Sequence, residues 1–209
     1  QGAELIELAK ENDLFLISDE CYDGFVYGQD RFWSLATASY EKSFVVGSTS
    51  KNFAMTGWRL GYILGESCYV EELEKLQSQL TSSPSAISQK AAEAALKHEV
   101  SLPRNVRNEF ERKRDVLADG LAELPGVKCP PPPGSFYLFP DISELLFQLG
   151  YEKTDDTTFA KTLLEEAGVV TVPGSAFGKP GHLRLAYLPD TGKLEEAVER
   201  LEDAVNGLL

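Results

Sequence analysis

The stretch SFVVGSTSKNFAMTGWRLGYIL, residues 43–64, decides how this chain is built. It opens on SFVVG (43–47), a strand candidate. The polar cluster Ser48-Thr49-Ser50-Lys51 closes that run. A second strand pattern, RLGYIL (59–64), follows and stops at Gly65. Upstream, the continuous apolar run LFLIS (14–18) suits a short strand buried on both faces, as in a parallel sheet, and it too ends in a polar cluster, Asp19-Glu20-Cys21-Tyr22. In open parallel sheets, ligands bind outside the carboxyl ends of the strands. If 14–18 and 43–47 share one parallel sheet, Asp19, Tyr22, Ser48, Ser50 and Lys51 converge on a common edge. A carboxylate, a phenol, two hydroxyls and an amine there suit an anionic cofactor.

Outward from this stretch, apolar residues at helical spacing predict helices over 3–12, 70–79, 86–98 and 105–124. The run CPPPPG (129–134) is the clearest break, because four prolines hold the chain extended and cannot join a hydrogen-bond ladder. Beyond it the pattern predicts strands over 135–139, 169–172 and 182–188, a helix over 157–167 and a last amphipathic helix over 193–205. The fold class expected is α/β, with a mostly parallel sheet and helices over residues 1–100, followed by a small α+β domain over 101–209.

Composition narrows the partners. The chain has 209 residues, enough to bury a core, and 43% of them are hydrophobic. Twenty basic against thirty-three acidic residues give a net charge of -13, which argues against nucleic acid and against an anionic membrane surface. No apolar run approaches the roughly 20 residues of a membrane span. Three scattered cysteines and two histidines offer neither a disulfide framework nor a metal-ligand spacing, and suit a reducing cytoplasm.

Three segments in order carry a resemblance. GSTSKNFAMTGWRLGY (47–62) resembles the Schiff-base signature of the class I/II aminotransferases, which are pyridoxal-phosphate (PLP) enzymes of fold type I. ISDECY (17–22) resembles their Asp-x-x-Tyr motif, and PGSAFG...GHLRLAY (173–187) their C-terminal arginine motif. The resemblance covers essentially the whole chain but only the later half of the family's usual sequence. It implies that Lys51 carries the cofactor and moves a proton at the substrate Cα. It also implies that Asp19 faces the pyridine nitrogen, that Tyr22 bonds the ring oxygen, and that Arg59, Ser48 and Ser50 hold the phosphate. Arg184 would hold the substrate α-carboxylate. The implied partners are an amino acid and a 2-oxo acid, in a cytoplasmic homodimer. Gly57 and Gly61 bracket Arg59, where a side chain would obstruct close packing.

Blander readings stand beside these. Asp19 can cap a turn, Ser48 and Ser50 can satisfy a turn backbone, and Arg184 can be an exposed ladder residue. Tyr27, Tyr137, Phe53 and Trp58 read as core, and Cys21 as a small buried residue. A carbon-sulfur lyase or decarboxylase would share Lys51, Asp19, Tyr22 and Arg59. A non-catalytic ligand-sensing module is the reading outside enzymology. The family's Gly/Ser-rich phosphate loop, ring-stacking aromatic and Asn have no counterpart in this sequence. The expectation is therefore a piece lacking its N-terminal half, with a sheet edge left open. The stretch 77–89 holds no Lys or Arg, which disfavours a dicarboxylate-specific site built there.

Overall fold

The computed structural model describes residues 2–28, 32–98 and 104–209. They divide into two compact units, Gln1–Arg104 and Asn105–Leu209. The boundary expected at residue 100 lies outside the described residues, and the division falls just beyond it.

The first unit opens with α1 (Gly2–Glu11), whose inward stripe buries Ile6 and Ala9. Strand β1 (Leu16–Asp19) follows, then β2 (Ser43–Ser48), the helical turn α2 (Thr49–Asn52), β3 (Gly61–Leu64), α3 (Ser67–Leu80) and α4 (Ala86–Lys97). The strands form one sheet in the order β1-β2-β3. β1 and β2 are parallel, with Leu16 opposite Ser43 and Asp19 opposite Val46. Ile6, Leu35 and Val45 form the buried cluster beneath, joined by Leu16, Ala38 and Tyr40.

Two expectations about this sheet need correction. β3 runs antiparallel to β2, with Val45 opposite Leu64 and Ser48 opposite Gly61, so the described sheet is mixed. The connection from Thr49 to Leu60 closes on itself at the carboxyl end of β2, and a strand starting where its predecessor stops must run back along it. β1 is also not buried on both faces. Its burial alternates: Leu16 and Ser18 turn toward the cluster, while Ile17, on the other face, is 71% exposed.

The second unit is helical with a small sheet. It contains α5 (Arg104–Glu123, beginning one residue before the division), β4 (Tyr137–Leu138), α6 (Ser143–Gln148), α7 (Asp156–Thr162), β5 (Val172–Pro173), β6 (Leu183–Ala186) and α8 (Thr191–Leu208). α7 widens into a π turn over Leu163–Ala167. The strand order is β4-β6-β5, with both pairings antiparallel. Pro173 lies in β5 without disrupting a central ladder because β5 is an edge. The proline run is pinned to α5 by Arg114, whose Nη1 donates to the Pro132 carbonyl at 3.1 Å. The predicted strands shrink to between two and four residues, and α6 was not anticipated. Six residues between turns are too few for a helical period to stand out.

Close backbone approach between β2 and β3 explains two glycines. A Cβ on Gly61 would sit 2.8 Å from the Gly47 carbonyl oxygen, and a Cβ on Gly47 would run into the Tyr62 ring. Gly57 is different: a Cβ there would meet nothing within 4 Å, so the expected obstruction holds at Gly61 and not at Gly57. Gly47→Ala should therefore destabilise the chain by about 1–3 kcal/mol through overpacking. Gly57→Ala should stay within about 0.5 kcal/mol of the parent. Urea unfolding of the two variants checks this, and equal midpoints would refute it.

Candidate active site

Lys51 sits on α2, directly after β2. The turn forms there because Ser48 is an N-cap, its Oγ accepting the Ser50 N–H at 3.1 Å. Thr49 is buried, and both its N–H (3.2 Å) and its Oγ1 (2.9 Å) donate to the Leu60 carbonyl. Thr56 Oγ1 donates to the Ser50 carbonyl at 2.9 Å. From α4, the buried Ser88 Oγ donates to the Trp58 carbonyl at 2.8 Å.

Those bonds bracket Arg59, which occupies the left-handed region at φ 53 and ψ 51. A non-glycine residue there costs on the order of 1–3 kcal/mol and persists only where its surroundings over-determine it. Here the carbonyl before Arg59 is held by Ser88, the carbonyl after it by Thr49, and the next residue is packed against Gly47. The Arg59 side chain is exposed, and its Nη1 donates to the Thr56 carbonyl at 3.0 Å. A guanidinium carries five N–H donors, so most remain for another acceptor.

At the end of β1, Asp19 is exposed and its Oδ1 accepts the Cys21 N–H at 3.1 Å. The turn-capping bond is thus present, and the carboxylate still faces outward. Next to it, the buried Glu20 carboxylate accepts from Ser34 Oγ (2.6 Å) and the Leu35 N–H (2.8 Å), tying the strand end to the following loop. Tyr22 packs edge-on to Phe25 with centroids 6.4 Å apart. Asn52 joins the two loops: its Nδ2 donates to Asp23 Oδ1 and its Oδ1 accepts the Gly24 N–H at 3.2 Å.

Electrostatics show which groups share this patch. Burial pushes the Cys21 thiol up to about 11; the Asp19 hydrogen bond and charge and the Asp23 charge add to it, while the Lys51 charge opposes them. Tyr62 is also raised, by burial first and then by Asp23, Glu20 and Cys21. Asp19, Asp23 and Lys51 therefore lie within reach of Cys21, and Asp23, Glu20 and Cys21 within reach of Tyr62. Cys21 is only half-buried, as is Phe53, and Trp58 is 44% exposed, so none of these three is the core residue expected. Tyr27 is buried.

In the second unit, Arg184 on β6 is half-buried between two rings, 4.7 Å from the centroid of Tyr137 and 4.6 Å from that of Phe177. Tyr137, expected in the core, is half-buried and stacks on the guanidinium. The loop carrying Phe177 is pinned by Asp156, which is fully buried; its Oδ2 accepts the N–H groups of Ser175 (2.9 Å) and Gly181 (3.0 Å). Sequence reading missed Thr49, Asn52, Tyr62, Ser88, Asp156 and Phe177. Only Thr49, Asn52, Tyr62 and Phe177 had a signal, by lying inside the quoted motifs.

The chain matches the family model for aminotransferase class I and II over residues 1–201. It belongs to that family. Relatives include a probable aspartate/prephenate aminotransferase of Aquifex aeolicus, 40% identical over 97% of this chain and 52% of the relative. An aspartate aminotransferase of Bacillus subtilis is 37% identical over 94% of this chain and 50% of its own length. The crystal structure of an aromatic aminotransferase from Pyrococcus horikoshii superposes with a TM-score of 0.88 at 36% identity, covering 100% of this chain and 56% of that one. The fold is therefore fold type I. The chain spans about half the length of the curated relatives it matches. No helix among the described residues is long and apolar enough to cross a membrane.

Asp156→Ala would strand the Gly181 amide in a buried position and the Ser175 amide in a part-buried one. The expected loss is about 1–3 kcal/mol, the cost of a buried donor left without an acceptor. Hydrogen exchange should accelerate at those two amides in particular. Unchanged protection there would show that the loop does not depend on Asp156.

Proposed function

We propose that this chain carries the catalytic lysine and the carboxylate-binding arginine of a PLP-dependent aminotransferase. The reaction is transfer of an amino group between an L-amino acid and a 2-oxo acid. The observation that supports this most is the placement of Asp19 and Lys51 at the carboxyl ends of two strands that pair in parallel. The residues fit the cofactor chemically. Lys51 supplies a nucleophilic amine, Arg59 an exposed guanidinium for a dianion, and Asp19 an outward carboxylate for a protonated ring nitrogen.

Bound there, PLP would supply the electron sink that makes the substrate Cα–H acidic. Lys51 would hold the cofactor covalently at rest, then give and take the Cα proton once an amino acid has displaced it. Asp19 would keep the ring nitrogen protonated, and Tyr22 would bond the ring oxygen. Arg59 would anchor the phosphate, with the Ser48 and Ser50 hydroxyls. The Ser48 hydroxyl has a structural duty as well, because it accepts the Ser50 N–H and caps α2. Arg184 would bind the substrate α-carboxylate, its guanidinium held beside the rings of Tyr137 and Phe177. Several relatives are named for aspartate, and specificity for aspartate needs a cation for the second carboxylate. Residues 77–89 contain none, so that cation would lie elsewhere. A cytoplasmic homodimer completes the reading; the free thiols Cys21, Cys68 and Cys129 are compatible with a reducing compartment.

The test is the visible absorption of the chain with added PLP, with and without Lys51→Ala, followed by product analysis. The expected result is a lysine-bound cofactor band that disappears in the variant. With amino donor and 2-oxo acid supplied, one new amino acid should form per keto acid released. A band that survives Lys51→Ala would overturn the assignment of Lys51. Ammonia with an unpaired keto acid would point to a lyase.

A further inference from the structure

The β1–β2 ladder reaches only to the Glu20 N–H, which donates to the Val46 carbonyl at 2.9 Å. Beyond that point the chain leaves the sheet twice, once into the 21–25 turn and once into α2. Tyr22 lies on the first departure and Lys51 on the second, where strand pairing no longer fixes their separation. The Asn52 side chain spans the gap. Asn52 donates from Nδ2 to Asp23 Oδ1 and accepts from the Gly24 N–H at 3.2 Å. Asp23 is the residue after Tyr22, and Asn52 is the residue after Lys51. The bridge is thus one position from each group. Its chemistry suits a carboxamide, which offers a donor and an acceptor from one short, planar group. Aspartate would keep the acceptor for Gly24 but would set one carboxylate against another. Alanine would keep neither.

We infer that Asn52 is a positioning residue that holds the Tyr22 turn against the Lys51 turn. Its functional meaning rests on the proposed role of Lys51, but the bridge itself is testable without cofactor. Cys21, inside the bridged turn, is the reporter. The groups acting on its thiol are Asp19 and Asp23 on its own turn and Lys51 on α2, and Tyr62 on β3 shares the same field.

The experiment is pH-dependent alkylation of the chain, resolved peptide by peptide, for the parent, Asn52→Ala and Asn52→Asp. Exposed Cys68 serves as the reference rate, and circular dichroism verifies folding. In the parent, Cys21 should react with a midpoint near 11. In Asn52→Ala, release of the turn should move that midpoint toward the ordinary 9.0, each unit giving roughly tenfold more thiolate at mildly alkaline pH; in Asn52→Asp the added carboxylate should move it the other way. In PLP-loaded protein, the pH midpoint of the Lys51-dependent band should move in the same two variants. An unchanged Cys21 profile in both variants would overturn the bridge. A shifted Cys21 profile with an unmoved cofactor band would reduce Asn52 to a structural staple and overturn the positioning role. Loss of folding in both variants would do the same. Absence of any Lys51-dependent band in the parent would instead sink the proposed function, and the positioning role with it, while the Cys21 profile still decides the bridge.

Discussion

The parallel ladder between Leu16–Asp19 and Ser43–Ser48 is the constraint on which the chemistry of the first unit depends. Parallel pairing sends both strands out of the sheet at the same edge, so residues far apart in sequence leave it side by side. Register matters as much as direction. A slip of one residue would move Asp19 from the outward face to the inward one. The inward residue Leu16, packed against Ile6, Leu35 and Val45, resists such a slip because it would be turned toward water. Apolar packing on one face therefore fixes the position of a carboxylate on the other.

The segment between β2 and β3 then converts sheet geometry into side-chain placement. It holds few apolar anchors, so buried hydroxyls do much of the ordering. Thr49 and Ser88 each bond a backbone carbonyl on either side of Arg59, and the glycine-to-tyrosine contact between Gly47 and Tyr62 closes the strands tightly enough for those bonds to reach. The left-handed backbone at Arg59 is the cost of this arrangement. Strain of that kind concentrates where a side chain must point in one direction.

Sequence made the chemistry-bearing residues legible because each lies in a contiguous motif at the end of an apolar run. Lys51 and Asp19 could be placed at strand ends without knowing how the strands pair. Strand direction was not legible, since period-two or apolar patterning is the same for parallel and antiparallel neighbours; hence the mixed sheet at β3. Exposure of Ile17 was not legible either, because an apolar residue reports its preference and not whether a partner covers it. The least accessible features were the tertiary ones. Asn52 and Asp23 are 29 positions apart, and neither has a local pattern that names the other. Trp58 and Tyr137 were assigned to the core on size alone, whereas one is exposed and the other spends its face on Arg184.

Arg59 and Arg184 are held by opposite means, and the contrast bears on function. Backbone conformation orients Arg59, with a single carbonyl touching its head group. Aromatic rings hold Arg184, those of Tyr137 and Phe177 lying 4.7 and 4.6 Å from its guanidinium carbon. Neither has a carboxylate ion-pair partner among the described residues, although the chain has thirty-three acidic side chains against twenty basic ones. Other basic residues, such as Lys113, Arg114 and Arg200, are paired with acids along their own helices. In so acidic a chain, a guanidinium held in place by carbonyls or rings keeps its positive charge uncompensated. An uncompensated, oriented guanidinium is the form in which arginine binds an external phosphate or carboxylate.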